Sequence, residues 1–381
     1  MSTLRLGVYT DYSYRRDPDG LYTDRAFIVF LAGVARNVER LVLLGQMRPD
    51  LPGAHYSVPA EIEFKPLPTY PSLVHAAAIP AMARSLRAFW RTLDEVDAVW
   101  LLGPHPLAIA FALIALLRRT PVRLGVRQDF PVYVRSRHPG RRAIHLAGDL
   151  LEWVYRVLAR RCPTVVVGPE LARNYRKACR LLPATVSLVN QSDLVRSEDA
   201  RPRREPPLTA LSVGRLETEK NPLMLADVAQ RLGDEWRLVV CGEGPLDDAL
   251  RERIETLGLA DRVELRGYIP LDGGLMDLYR SADALLHVSW TEGVPPVLVE
   301  AFAARLPVVA TAVGGVAEAV GEAALLIPPG DPDAAARAIE RIGTEDGLAE
   351  RLAERGAERV QTRTLEAESA RVAAFLADLR D

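Results

Sequence analysis

ADALLHVSWTEGVPPVLVEAFAARLPVVAT, residues 282–311, holds one complete crossover unit. The apolar run at 284–288 reads as a buried strand. Gly293, Pro295 and Pro296 interrupt the pattern, and proline is tolerated at a helix start but not deeper in it. VLVEAFAARL is therefore the helix, and LPVVAT is the next strand. Strand, helix and strand in this order make two parallel neighbours in one sheet. Glu292 then falls in the loop that leaves the first strand, and Glu300 about one turn inside the helix. That carboxyl edge is where open α/β sheets bind their ligands.

Outward from this unit the same alternation covers the chain. LRLGVY, RLVLLG, DAVWLLG, VRLGVR and TVVVGP read as strands in the first half, with helices over 23–36, around 76–92, over 142–160 and over 170–180. LTALSVG, WRLVVCG, RVELRG and ALLIPPG extend the series in the second half. Residues 196–208, RSEDARPRREPPL, are charged and proline-rich and lack apolar periodicity, which marks a linker. The reading is an α/β protein of two doubly wound, Rossmann-like domains facing a cleft. The first is 1–195, the linker 196–207, the second 208–355, and a final helical segment, 356–381, crosses back to the first.

The 381 residues carry a net charge of only −2, but unevenly. Residues 1–200 hold 27 Lys+Arg against 18 Asp+Glu, a balance of +9, and the remaining 21 and 32 give −11. Eleven arginines lie between Arg118 and Arg161. Such a stretch suits a solvated rim or a surface that meets phosphates. It lacks interleaved aromatics and nucleic-acid motifs, so no nucleic-acid partner is expected. Cys162, Cys179 and Cys241 form no C-x-x-C pair and read as small buried residues in a reducing compartment. No signal peptide precedes the first strand. The uncharged stretch 98–117 imitates a membrane span, but Gly103, Pro104 and Pro106 divide it into a strand, a loop and a helix too short to cross. A cytoplasmic protein follows, with the arginines offering peripheral attachment to an anionic inner membrane face.

LSVGRLETEKNP, residues 211–222, ends a strand at Val213 and opens a loop at Gly214. Arg215 and Lys220 lie in that loop, and Asn221 and Pro222 suit the cap and first position of a following helix. Two cations beside free helix amides suit an anion, and a diphosphate in particular. The plain alternative is two surface cations with no task. CGEGPL, 241–246, places Gly242 and Gly244 where backbone must turn or approach a ligand closely. RGYIP, 266–270, is another strand exit. Carboxylates such as Glu292 and Glu300 accept from paired hydroxyls of a ribose or hexose, although Glu300 is also an ordinary first-turn acid.

Taken together, SVGRLETEKNP, CGEGPL, RGYIP, EGVPPVLVEA, LPVVATAVGGVAEAV and ALLIPPGDPDAAARAI resemble the carboxyl-terminal domain of retaining, nucleotide-sugar-dependent glycosyltransferases of the GT-B fold, the large group-four family. The likeness covers about 208–340; the first half matches in layout only. The resemblance implies that Arg215 and Lys220 hold the leaving diphosphate, Glu292 touches the donor sugar, and Glu300 takes the ribose hydroxyls. It places Tyr268 by the base and Gly214, Gly242 and Gly244 along the nucleotide. Pro295 and Pro296 offer no N–H, so the donor's amides come from Gly293, Val294, Val297 and Leu298. In the first half it implies His105 near the donor sugar and Gly20 on the phosphate side, where relatives show paired glycines. Arg127, Gln128 and Asp129 are candidates for an acceptor pocket.

The donor is then a UDP- or GDP-sugar, with no further cofactor and no metal, because the cations do that work. The two DPD triplets, 17–19 and 331–333, read as a loop and a helix cap. The acceptor hydroxyl belongs to a lipid-linked, polysaccharide or glycolipid molecule, or to a soluble small molecule; a non-catalytic nucleotide-sugar-binding subunit is the remaining alternative. A dinucleotide-dependent oxidoreductase would need G-x-G-x-x-G after the first strand, where 6–20 read LGVYTDYSYRRDPDG.

Overall fold

The computed structural model describes residues 3–69, 78–199 and 205–378. Their contacts divide into two units, Met1–Val186 with Leu365–Asp381, and Ser187–Thr364.

The first unit carries β1 (Arg5–Asp17), β2 (Gly20–Thr23), β3 (Arg40–Met47), β4 (Tyr56–Ser57), β5 (Ile62–Leu67), β6 (Ala98–Gly103), β7 (Val122–Val126), β8 (Thr164–Val167) and β9 (Leu181–Ala184). The parallel path is β5-β3-β1-β6-β7-β8-β9, so the order reverses between β1 and β6. Helices on the sheet bury Phe89 and Phe111 in a parallel stack at 4.1 Å. The helix expected over 23–36 is shorter, Phe27–Ala35, because Thr23 belongs to β2. β1 passes an irregularity between Tyr9 and Ser13 and then forms an antiparallel hairpin with β2. Gly20 therefore sits at a hairpin tip opposite Asp17 rather than in a strand-to-helix loop. That corrects the local structure expected there: the polar run YRRD keeps strand geometry because β2 pairs with it, and Gly20 opens β2 instead of leading into a helix.

The apolar stretch 98–117 divides as its prolines predict, into β6 and a helix Pro106–Leu117. No helix among the described residues is long and apolar enough to cross a membrane. The helix expected over 170–180 stops at Asn174, and the chain turns into β9. Cys162 and Cys241 are buried, but Cys179 is exposed, against expectation, in the turns before β9.

The second unit carries β10 (Leu208–Val213), β11 (Trp236–Cys241), β12 (Val263–Leu265), β13 (Ala284–His287), β14 (Val308–Thr311) and β15 (Ala324–Ile327). All are parallel in the order β12-β11-β10-β13-β14-β15. Written from its own first strand this is 3-2-1-4-5-6, the dinucleotide-fold order, with its switch point between β10 and β13. The strands are mostly apolar because both faces are covered, with exposed Arg237 in β11 and Glu264 in β12 as exceptions.

The unit boundary falls at 186, not 195. Val189 is fully buried in the second core, and the Val195 N–H donates to the Ala303 carbonyl at 2.9 Å. Part of the expected linker, 200–204, lies outside the described residues. The helix Leu348–Val360 belongs to the second unit, where Gly356 meets the Phe302 ring. Leu365–Ala377 belongs to the first unit and packs on Phe27–Ala35, where Gly33 leaves room for Ser369. The return therefore begins at 365 rather than 356, after Leu352, Ala357 and Val360 have been buried in the second unit.

Candidate active site

Adjacent strands β10 and β13 end side by side, and their exit loops build one site. A solvent-open hollow of about 300 Å³ is lined by Ser212, Gly214, Arg215, Lys220, Pro222, His287 and Ser289, among others. The two loops are tied where the Trp290 N–H donates to the Glu219 carbonyl at 2.8 Å. The Thr311 hydroxyl adds a bond to the Ser289 carbonyl at 2.8 Å, fixing the second loop to β14.

Lys220 and Glu292 meet in an ion pair. Glu292 is nearly buried and accepts from the Ser289 hydroxyl at 2.7 Å on the same Oε1. His287 Nε2 lies 3.2 Å away, close enough for an ionic contact when protonated but out of line for a hydrogen bond. Burial opposes the charge on Glu292, yet Lys220 and His287 outweigh it and hold the carboxyl far below its ordinary value. The side chain is thus an anion ready to face developing positive charge. His287 and Ser289 escaped the sequence reading; the signal was polar residues closing an otherwise apolar strand, HVS.

Arg215 pairs with Glu217 and lies 3.7 Å from Glu219. Both cations expected for a diphosphate therefore rest against carboxylates here, because half-buried charge needs a partner. A phosphate must compete for them.

Asn221 departs from expectation. It ends a one-turn 3-10 helix, Thr218–Lys220, in the left-handed region at φ 51°, a conformation asparagine adopts readily. Its side chain does not cap the helix Leu223–Arg231, whose N-cap is Pro222. The effect is to aim Lys220 back toward β13 before the helix starts.

The glycines close the floor. Gly242 has φ +143°, and its N–H donates to the Gly267 carbonyl at 2.7 Å. A Cβ there would stand 1.8 Å from the Gly214 carbonyl oxygen, and one on Gly244 2.5 Å from that of Leu216. We expect Gly242→Ala to lose about 3 kcal/mol of stability in urea unfolding, together with nucleotide binding. Unchanged unfolding would show that the loops tolerate separation. Nothing crowds Gly214.

Pro295 caps and Pro296 opens the helix Pro296–Ala303. The amides of Gly293, Val294 and Val297 have no protein acceptor among the described residues, whereas that of Leu298 donates to the Pro295 carbonyl. Glu300 is buried, and Tyr279 donates to its Oε2 at 2.7 Å. Burial pushes its carboxyl up to about 7, with Tyr279 pulling the other way. The Tyr268 N–H donates to Glu243 at 3.3 Å.

In the first unit, His105 caps the helix Pro106–Leu117: its Nδ1 accepts from the Leu107 N–H at 3.2 Å and lies 2.9 Å from the Tyr9 hydroxyl. These contacts assign the proton of the neutral ring to Nε2, and burial pushes its pKa down against Asp11. His105 and Tyr9 thus mark that unit's own switch point. Arg127 pairs with Asp11 at 3.0 Å and stacks 4.3 Å over Tyr12. Asp129 caps the helix Phe130–Arg137 through Val132 N at 3.1 Å, a structural task beside Gln128. Of the two DPD triplets, Asp17 pairs with Arg15 and Asp331 caps a helix through Ala334 N.

These features agree with known proteins. The family of glycosyl transferases group 1 matches residues 196–359. The chain is 33% identical over 170 residues to the Bacillus subtilis protein TuaC, named a putative teichuronic acid biosynthesis glycosyltransferase, covering 43% of this chain and 41% of that protein. The chain therefore spans about two fifths of such a relative. Among solved structures, sucrose-phosphate synthase from Thermosynechococcus elongatus superposes with a TM-score of 0.72 at 20% identity over 99% of both chains. Anabaena HepE in complex with UDP and glucose does so with 0.73 at 16%, over 99% of this chain and 100% of that one. The chain thus has the two Rossmann-like halves of the GT-B fold, and its second unit matches the model of the group 1 glycosyl transferases.

Proposed function

We propose that the protein moves a hexosyl group, with retained configuration, from a nucleoside-diphosphate sugar to a hydroxyl of a polysaccharide or glycolipid acceptor. The observation that carries this reading is the meeting of Arg215, Lys220, His287, Ser289 and Glu292 at the ends of β10 and β13. The bond from the anomeric carbon to the diphosphate breaks, and negative charge grows on the leaving oxygen. Arg215, Lys220 and the free amides of Gly293, Val294 and Val297 stabilise it. Glu292, held anionic, faces the positive charge at the anomeric carbon. The acceptor hydroxyl attacks the same face and loses its proton to the departing phosphate.

HepE, on the same fold, is bound to UDP and glucose, and TuaC is named for teichuronic acid biosynthesis. The first supports a UDP-sugar donor and the second a polysaccharide or lipid-linked acceptor; we place the transfer on the inner membrane face because of the arginine-rich stretch 118–161. A thermal-shift panel of UDP, GDP and ADP tests the donor: one diphosphate should raise the melting point, and no shift with any would end the reading. Because side chains neutralise the diphosphate, turnover should survive EDTA; loss restored by a divalent cation would refute metal independence.

Glu292→Gln is expected to cut kcat about a hundredfold while leaving nucleoside-diphosphate affinity unchanged or higher. The substitution removes the carboxylate that competes with phosphate for Lys220. A fall in affinity with normal kcat would reverse the assignment.

A further inference from the structure

We propose that the helix Arg142–Ala159 and its neighbour Pro106–Leu117 form a docking surface for an anionic lipid bilayer. This locates the membrane contact of the reading above and rests on it. Leu146, Leu150, Trp153 and Val157 recur at i, i+4, i+7 and i+11, one stripe of a helix. They are 69%, 59%, 60% and 38% exposed, while the opposite face of the same helix buries Gly148, Glu152, Tyr155 and Ala159. The neighbouring helix, in contact with it, adds Leu113 and Leu117 at 57% and 76%. Of the twelve large exposed hydrophobic residues among those described, nine lie on these two helices and Ala78–Thr92, which packs against Pro106–Leu117. Scattered exposed leucines need no explanation; a contiguous layer does.

Charge decides the occupant. The acids of the long helix are already neutralised, Asp149 by Arg135 and Glu152 by Arg156, each at 2.8 Å. Arg119, Arg141, Arg142, Arg160 and Arg161 are exposed and pair with no carboxylate among the described residues. They lie at the ends of the two helices. An apolar face holding a tryptophan, with unpaired arginines at its margin, matches acyl chains bordered by phosphates. A second copy of the chain would bring the same arginines against one another.

The test is flotation with vesicles of phosphatidylcholine plus phosphatidylglycerol, and of phosphatidylcholine alone, at low and high salt. The protein should float with the anionic vesicles and be released by salt. Trp153→Glu and Leu146→Glu, both exposed, should each weaken binding at least about tenfold, and Arg141→Glu with Arg142→Glu should reduce the salt dependence. The melting-point rise with the bound diphosphate should stay unchanged in every variant, which shows that each is folded. Wild-type protein that never floats overturns both the surface and the membrane reading. Wild type that floats beside variants that float equally overturns this surface alone. A dimer that Trp153→Glu dissociates assigns the layer to a second copy and overturns the proposal too.

Discussion

Lys220→Ala is expected to lower kcat about a thousandfold and to weaken nucleoside-diphosphate binding, measured by glycosyl transfer and calorimetry. The size follows from what Lys220 does twice. Toward a donor it is a compact charge beside the leaving oxygen, where stabilisation acts at the transition state. Within the free protein it is the main positive partner of the nearly buried Glu292. Removing one member of such a pair leaves an uncompensated charge and costs about 3 kcal/mol of stability. The two tasks separate in a double variant. Lys220→Ala with Glu292→Gln should recover most of the lost stability in urea unfolding, since neither charge remains, but none of the lost turnover. Turnover that recovers with stability would make Lys220 a structural residue only. Arg215→Ala should also lose turnover, with a smaller stability cost, because its partner Glu217 keeps more contact with solvent than Glu292 does and Glu219 lies as far away as 3.7 Å.

How much of this site could be read from the chain depends on the distance in sequence over which each contact forms. The exit loops were legible because their signals are local: Gly214 after an apolar run, Pro295 and Pro296 before another. Glu292 and Glu300 could be placed on a loop and a helix for the same reason. The pairing of Lys220 with Glu292 spans 72 residues and depends on β10 lying next to β13, which alternation alone does not dictate. For that reason the cations read as free, whereas the structure gives each a carboxylate. Tyr279 beside Glu300, and His287 beside Glu292, were invisible on the same ground. In the first unit the missed features were those in which tertiary pairing overrode composition. YRRD is polar enough for a loop, but β2 gives it a partner strand. LLPA, short and interrupted by proline, becomes the edge strand β9 because only β8 needs its hydrogen bonds. The exposed apolar layer read as an ordinary helix pattern, since periodicity does not say which of two apolar faces is covered.

Nucleoside-diphosphate affinity is expected to rise with pH between about 5 and 7 and then level off, and the cause is Glu300. Its carboxyl is pushed up to about 7 by burial, so near neutrality a good part of the population is protonated. Tyr279 occupies Oε2. Ribose hydroxyls that donate to the carboxylate favour its ionised form, so binding must release a proton wherever the free protein holds one. Affinity then grows up to about tenfold per pH unit below the folded-state value, and calorimetry in buffers of different ionisation enthalpy should register the proton release near pH 6.5. Stability runs the other way. The native state holds a proton that the unfolded carboxyl gives up near pH 4, so this contribution is full below that pH. It is lost as the pH rises through 7, to a total of about 3 kcal/mol. Glu300→Gln should abolish both slopes and bind the diphosphate about tenfold more weakly at pH 8, where the wild-type carboxylate is ionised. An affinity that is flat or falls over this range, or a Glu300→Gln variant that keeps the wild-type slope, would mean that the ribose contact lies elsewhere and that Glu300 serves Tyr279 and the core alone.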